Sequence, residues 1–381
     1  MEFPFTDEQR EFREHLSRWV DDRLAPRAKE LDESGEFARD LFKELGDLGY
    51  YGIMYPEEYG GSGMEGRNVA YTIFTEELAR ASMGFSATVS MHASTATHTI
   101  FEWGSEALKQ KYLVPAIKGE MIGAFAITEP NAGSDAGSIR TRAQRTNEGY
   151  RLNGTKIFTS NSTIADFITV AARTGDEPGV KGISLFLLDT KSEGFSVSRK
   201  LEKFTTHCSD TAEIVFDNVL VPDECRLGDE NSGFKNAYKS LTVDRIFTAA
   251  LAIGTARAAY DAAFKYAQER EQFGRPINKF QAVAFKLVDM LAQLEQIQLY
   301  TYSAAAMADR GEDITKEAAL AKIVAADGGN QICQKALNIF GGYGLMNEFP
   351  VQRYLRDSYF PMIGGGTSDI MRLLVSRQLG M

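Results

Sequence analysis

Cysteine is scarce in this 381-residue sequence: Cys208, Cys225 and Cys333 are the whole complement. Odd in number, widely spaced and without a Cys-x-x-Cys pair, they argue against a disulfide framework and a structural zinc site. Histidine is nearly as rare, with four residues and no His-x-x-x-His pair, which argues against a catalytic metal. No apolar run approaches the roughly 20 residues that a membrane span requires. Positive charge is also in deficit. A net charge of −10 disfavours nucleic acid as a partner, because phosphate recognition needs a basic footprint. The first residues, Met1-Glu-Phe-Pro-Phe-Thr-Asp-Glu8, are acidic and turn-forming, unlike a secretory signal or an Arg-rich transit peptide, so a cytoplasmic location is expected.

What is present is an ordinary globular composition, 44% hydrophobic and 25% charged, in a chain long enough for two or three domains. Residues 1–118 read as an N-terminal helical domain. Thr6 and Gln9 have capping-box spacing ahead of Phe12, Leu16 and Val20 at helical intervals, with Pro26 near that helix's end. Residues 41–49 predict a short amphipathic helix, Tyr55 to Gly63 a loop, and helices follow through Glu76 to Arg80 and Ser90 to Ser94. Residues 119–232 read as a β domain, with β-rich runs starting at Gly123, Tyr150, Phe167, Gly182 and Glu213. Asn153-Gly154 signals a hairpin turn there. Residues 233–381 are helical again, with helices at about 234–270, 279–310 and 313–340 whose lengths fit a bundle.

Thr128-Glu-Pro-Asn-Ala-Gly-Ser-Asp135 combines small residues that let a backbone approach a flat ligand with hydroxyls that donate without bulk. Taken alone, it reads more readily as a strand leaving into a turn. The stretch resembles, nearly letter for letter, a signature of the acyl-CoA dehydrogenase flavoproteins. Glu269-Arg-Glu-Gln-Phe-Gly-Arg-Pro-Ile277, Phe340-Gly-Gly-Tyr-Gly344 and the loop Phe360–Arg372 resemble further segments of that family, in family order and over essentially the whole chain. The resemblance implies a mixed α and β, mainly helical fold: an N-terminal α-helical domain, a central β-barrel or sandwich-like domain and a C-terminal four-helix bundle. It implies a homotetramer, with FAD between bundle and β domain and reaching a neighbouring subunit. Ile127 and Thr128 would then meet the flavin pyrimidine edge, and Ser134 the CoA part of the substrate. Phe158, where the family usually has Trp, would lie over the flavin, and Ser160 would bond its N5. Arg270, Gln272 and Phe273, with Gln281 nearby, would hold the pyrophosphate and adenosine of an adjacent subunit's FAD, a task that suits a guanidinium fork. Asn338, Gly341 and Gly342 would meet the adenine and diphosphate, and Thr367 and Asp369 would add FAD contacts.

Dehydrogenating an acyl thioester requires a base for the α-proton, a hydride acceptor at the β-carbon and donors for the enolate-like carbonyl. Many members of the family carry the base as a glutamate where Gly365 stands here. Gly365 retains only its backbone N–H, the implied oxyanion donor together with a flavin ribityl hydroxyl. Asp244, in Leu241-Thr-Val-Asp-Arg245, matches the helix position where isovaleryl- and long-chain-type members place a glutamate, and it is the expected base. Arg245 would support the loop and substrate region, though a surface Asp244–Arg245 ion pair is the structural alternative. His92 either lines the substrate pocket or packs in the core. Aspartate reaches about one ångström less far than glutamate, so a branched or cyclohexanecarboxyl-CoA-like acyl group is expected. The expected partners are the acyl-CoA, held by local cations, and electron-transferring flavoprotein. An acyl-carrier-protein-linked dehydrogenase, a flavin oxidase and a flavin-binding protein without dehydrogenase activity stay open.

Overall fold

The computed structural model describes residues 3–381. Thr6 caps α1 (Asp7–Trp19) as its spacing predicts: its hydroxyl accepts from Gln9 N at 3.2 Å, and the Gln9 side chain accepts from Thr6 N at 3.1 Å. Pro26 sits in a short turn of 3-10 helix before α2 (Ala28–Ser34), and α3 (Arg39–Asp47) follows. α4 (Arg67–Ala81) has almost no exposed face and runs through the interior. α5 (Met83–Ser90) and α6 (Thr97–Trp103) form one rod interrupted by a π-helical segment, Met91–Ala96. The wider π turn changes the direction of the side chains it carries. α7 (Glu106–Leu108) and α8 (Val114–Ile117) complete the N-terminal part.

The central part holds β1 (Gly123–Ala126), β2 (Arg142–Thr146), β3 (Gly149–Ser160), β4 (Phe167–Arg173), β5 (Ile183–Asp189), β6 (Phe195–Lys200), β7 (Thr211–Val221) and β8 (Arg226–Leu227). Their order is β6-β7-β3-β2-β4-β5-β8, with β1 parallel to β4. Ile168, Val170 and Ala172 of β4 join Tyr150, Phe186 and Phe216 in a core enclosed by the sheet, while Phe167 and Ala171 on the opposite face pack on the helices. Burial on both faces explains why β4 and β5 are apolar runs without alternation. β2 and β6 are largely exposed and polar, so no apolar pattern announces them. Asn153-Gly154 is not a turn. It lies inside β3, and the β2–β3 hairpin turns at residues 147–148. Opposite it, the register shift leaves an extra residue on β7, where Asn218 has φ +55°. Glycine is required at 154 because a Cβ there would lie 2.6 Å from Thr141 Oγ1.

The C-terminal part comprises α9 (Gly233–Glu269), a small ribbon (Glu271–Gln272 with Arg275–Pro276), α10 (Gln281–Asp309), α11 (Thr315–Phe340), α12 (Val351–Asp357), α13 (Phe360–Ile363) and α14 (Ser368–Gln378). α9, α10 and α11 pack together and α14 closes against α11, giving the four-helix bundle. α4 lies against α9 and α10 and ties the N-terminal helices to the bundle. Gly254 permits that approach, since a Cβ there would lie 2.2 Å from Glu76 O. Among the described residues, no helix is long and apolar enough to cross a membrane.

Candidate active site

Asp244 lies about three turns into α9, half-buried, with its carboxylate against the N-terminal rod. Thr95 Oγ1 donates to Asp244 Oδ2 at 2.6 Å, across a sequence separation of 149 residues. Among the described residues, Asp244 has no cation within salt-bridge distance, so the surface ion pair with Arg245 does not form. Burial pushes the Asp244 carboxyl up to about 6, even though the Thr95 and Ser94 hydroxyls and the Arg245 charge pull the other way. Arg245 is also buried. Its guanidinium lies 4.9 Å over the Tyr238 ring, Nη1 reaches Thr242 Oγ1 at 3.5 Å, and Nε has no hydrogen-bond partner.

The loop after α13 comes to the same place. Gly365 has φ +67°, a conformation that favours glycine, and an added Cβ would stand 3.6 Å from Thr248 Oγ1. That hydroxyl donates to Asp244 O at 2.9 Å, one turn back along α9. Among the described residues, the Gly365 N–H donates to no backbone carbonyl, leaving it available to a ligand. The loop is held from behind by Lys322 of α11, whose ammonium donates to Gly366 O. Burial, with Arg245 close by, pushes the Lys322 amine down to about 7. Thr367 caps α14, accepting from Ile370 N at 3.2 Å, and the exposed Asp369 pairs with Arg372 at 3.1 Å.

In the β domain, Ile127 and Thr128 leave β1 half-buried and are braced against β3. Ile157 N donates to Thr128 O at 2.9 Å, and Lys156 Nζ donates to Ile127 O at 2.9 Å. Lys156 also pairs with Glu129 at 2.8 Å, in a fully interior position. Glu129 Oε1 in turn accepts from Thr141 N at 2.9 Å. Phe158 departs from the regular strand at φ +56° and leaves 65% of its surface exposed, so its ring is available to a ligand. Ser160 is half-buried at the end of β3, and Ser134 is exposed in the turn after β1.

A second group lies elsewhere. Arg270 follows the last residue of α9, 26 residues beyond Asp244, a rise of about 39 Å along the helix. Its guanidinium stacks 5.4 Å over Tyr343, bringing it to the Gly341-Gly342 turn after α11. Asn338, Gly341 and Gly342 are exposed, and a Cβ at either glycine would meet nothing within 4 Å, so the turn borders open space. Phe273 is 94% exposed at φ +52°, the Gln272 amide donates to Glu271 O at 2.7 Å, and Gln281 opens α10 on the surface.

His92 is a core residue and not a pocket residue. It is fully buried against the rings of Phe42 and Tyr51, Nδ1 accepts from Gly123 N at 3.0 Å, and Nε2 reaches Ala116 O at 3.1 Å. With both nitrogens engaged by backbone, burial pushes it down to about 4 and it stays neutral. Sequence reasoning missed Thr95, Lys156 and Lys322. Lys156 is in phase with the buried Tyr150 and Leu152 of β3, and Lys322 is a lone charge within Ala318–Ala326; either pattern marks an inward-facing cation.

Three family models match this chain: the acyl-CoA dehydrogenase N-terminal domain at residues 6–120, the middle domain at 124–219 and the C-terminal domain at 231–380. Benzylmalonyl-CoA dehydrogenase of Aromatoleum aromaticum is 42% identical over 380 residues, covering 100% of both chains. Butyryl-CoA dehydrogenase from Megasphaera elsdenii superposes with a TM-score of 0.97 at 40% identity, covering 100% of both chains. A chain from the structure of the electron transferring flavoprotein of Acidaminococcus fermentans superposes with a TM-score of 0.96 at 39% identity, covering 100% of this chain and 99% of that one.

Proposed function

Because the chain belongs to the acyl-CoA dehydrogenase family, we propose that it dehydrogenates an acyl-CoA with Asp244 as the base and Gly365 as a backbone donor. It is an acyl-CoA dehydrogenase enzyme of an FAD-dependent family. One observation carries the assignment of the base. The Cβ position of Gly365, where many members carry their glutamate, borders the helical turn that presents Asp244.

The residues fit FAD. Ile127, Thr128, Phe158, Ser160, Thr367 and Asp369 would hold its isoalloxazine half. Arg270, Gln272, Phe273, Gln281, Asn338, Gly341 and Gly342 would hold the diphosphate and adenosine of a second copy's FAD. The exposed Phe158 ring and the open space beside Gly341 and Gly342 support this. The rise of about 39 Å between Asp244 and Arg270 supports the expected homotetramer, because the two groups lie far apart along one helix and a second copy would supply the other group. Bound FAD supplies the acceptor for the hydride leaving the substrate β-carbon.

The chain's own residues do the rest. A carboxyl near 6 is ionised at neutral pH yet basic enough to receive the α-proton. The Gly365 N–H would donate to the thioester oxygen as negative charge develops there. Ser134 would meet the CoA portion, and Arg245 would support the substrate region. Aspartate's short reach favours a ring or branched acyl group that brings its α-carbon close to α9. Similarity to a chain of the electron transferring flavoprotein structure supports such a flavoprotein as electron acceptor.

The test is anaerobic flavin bleaching by straight, branched and cyclohexane-type acyl-CoAs, with wild type and Asp244→Asn in parallel. Bleaching of wild type but not of the variant identifies both base and substrate class. Equal rates would overturn the assignment of Asp244.

A further inference from the structure

We infer that Thr95 is a positioning residue that aims and stabilises the Asp244 carboxylate as a proton acceptor; this rests on Asp244 being the base. The contact is short, 2.6 Å between Oγ1 and Oδ2, as expected for a hydroxyl donating to a carboxylate. It joins the N-terminal rod to the bundle, so the two parts of the molecule meet at the reacting group. Thr95 is itself buried, and its hydroxyl differs from its neighbours. Ser94 donates to Ser90 O at 2.8 Å, Thr97 to His92 O at 2.8 Å and Thr99 to Ala96 O at 2.8 Å. Each of those hydroxyls turns back on its own helix, although Ser94 Oγ also lies close enough to Asp244 to lower its carboxyl. Thr95, within the π segment, leaves the rod and reaches α9. Its β-branch stiffens χ1 and so fixes the direction of the hydroxyl.

The other groups facing Asp244 do not replace it. Tyr71 of α4 presents a buried hydroxyl that, among the described residues, makes no hydrogen bond to Asp244. The Tyr55 hydroxyl is engaged by Thr97 Oγ1 at 2.7 Å and Ala93 O at 3.0 Å. Arg245, on the same helix, turns to the Tyr238 ring, and Lys322 beyond it donates to Gly366 O.

The experiment compares wild type, Thr95→Val, Thr95→Ser, Thr95→Ala and Asp244→Asn as FAD-loaded enzymes, using an acyl-CoA that bleaches wild type. kcat/KM is followed against pH, and the Asp244 carboxyl is titrated by infrared difference spectroscopy, its band assigned by its loss in Asp244→Asn. Removing a donor to the carboxylate raises its pKa. The Val and Ala variants should therefore move both midpoints up by about one pH unit, with the alkaline plateau about tenfold lower, while Thr95→Ser stays near wild type. A merely structural threonine would lower stability without moving either midpoint, and wild-type midpoints in Val and Ala overturn the inference. Asp244→Asn that bleaches as fast as wild type overturns the assignment of the base instead, so the two failures are distinguishable.

Discussion

Glu76 and Glu77 on α4 are buried and Asp244 on α9 is half-buried, and their surroundings are opposite. Arg257 meets both glutamates at 2.5 and 2.6 Å, Arg13 meets them at 3.2 and 3.0 Å, and the Tyr302 hydroxyl donates to Glu76 at 2.6 Å. Burial alone would raise the Glu77 carboxyl, but Arg257, Arg13 and Arg80 hold it at about 2. Asp244 receives a hydroxyl where Glu77 receives guanidinium groups, and it rises to about 6. The buried lysines show how the partner matters. Burial pushes both amines down, opposed at Lys156 by its ion pair with Glu129 and at Lys322 by the more distant Asp327, with Lys322 donating to a backbone carbonyl. A compensated interior charge ties elements together; an uncompensated one is poised to exchange a proton.

Four substitutions break or sharpen this contrast. Asp244→Asn should slow reduction by a good acyl-CoA about a thousandfold, roughly 4 kcal/mol. It should also change stability in a pH-dependent way. The folded carboxyl lies above its unfolded value, so its contribution to stability is complete below about pH 4 and is lost as pH rises through about 6. The asparagine escapes that loss, so its unfolding free energy should overtake that of wild type above pH 6, by at most about 3 kcal/mol. Arg257→Met is the converse. It leaves Glu76 and Glu77 undercompensated and should cost about 3–4 kcal/mol in denaturant unfolding, with little change in the pH dependence of bleaching. His92→Phe strands Gly123 N and Ala116 O and should cost about 2 kcal/mol. Because His92 is neutral, its removal should leave the kinetic pH profile in place. Lys322→Met frees Gly366 O. It should lower kcat about tenfold, roughly 1.4 kcal/mol, by loosening the loop that carries Gly365.

The bundle was readable in the sequence because long proline-free helices announce themselves: 234–270 is α9 to within a residue at each end. β2 and β6 were not, since exposed polar edges carry no apolar alternation. Asn153-Gly154 misled because the glycine answers a close approach of Thr141, opposite a bulge on β7, and not a turn. Asp244 and Gly365 stood out once the family motif showed a vacant position. Thr95, Lys156 and Lys322 did not, because each acts on a group 149, 27 to 29, or 44 residues away in the chain. Local pattern says that a residue is unusual; only the fold says what it faces.

The π segment between α5 and α6 has a consequence for how this chain can change. A π turn is an α-helix carrying one residue too many, and removing that residue would let the rod relax to 3.6 residues per turn. Everything beyond the excision would then rotate by about 100° and shift by about 1.5 Å relative to what precedes it. Thr95 could not keep its reach to Asp244 while Tyr55 kept its grip on Thr97. Length at residues 91–96 is therefore constrained as tightly as the identities of His92 and Thr95, and descendants of this sequence should carry no deletion there.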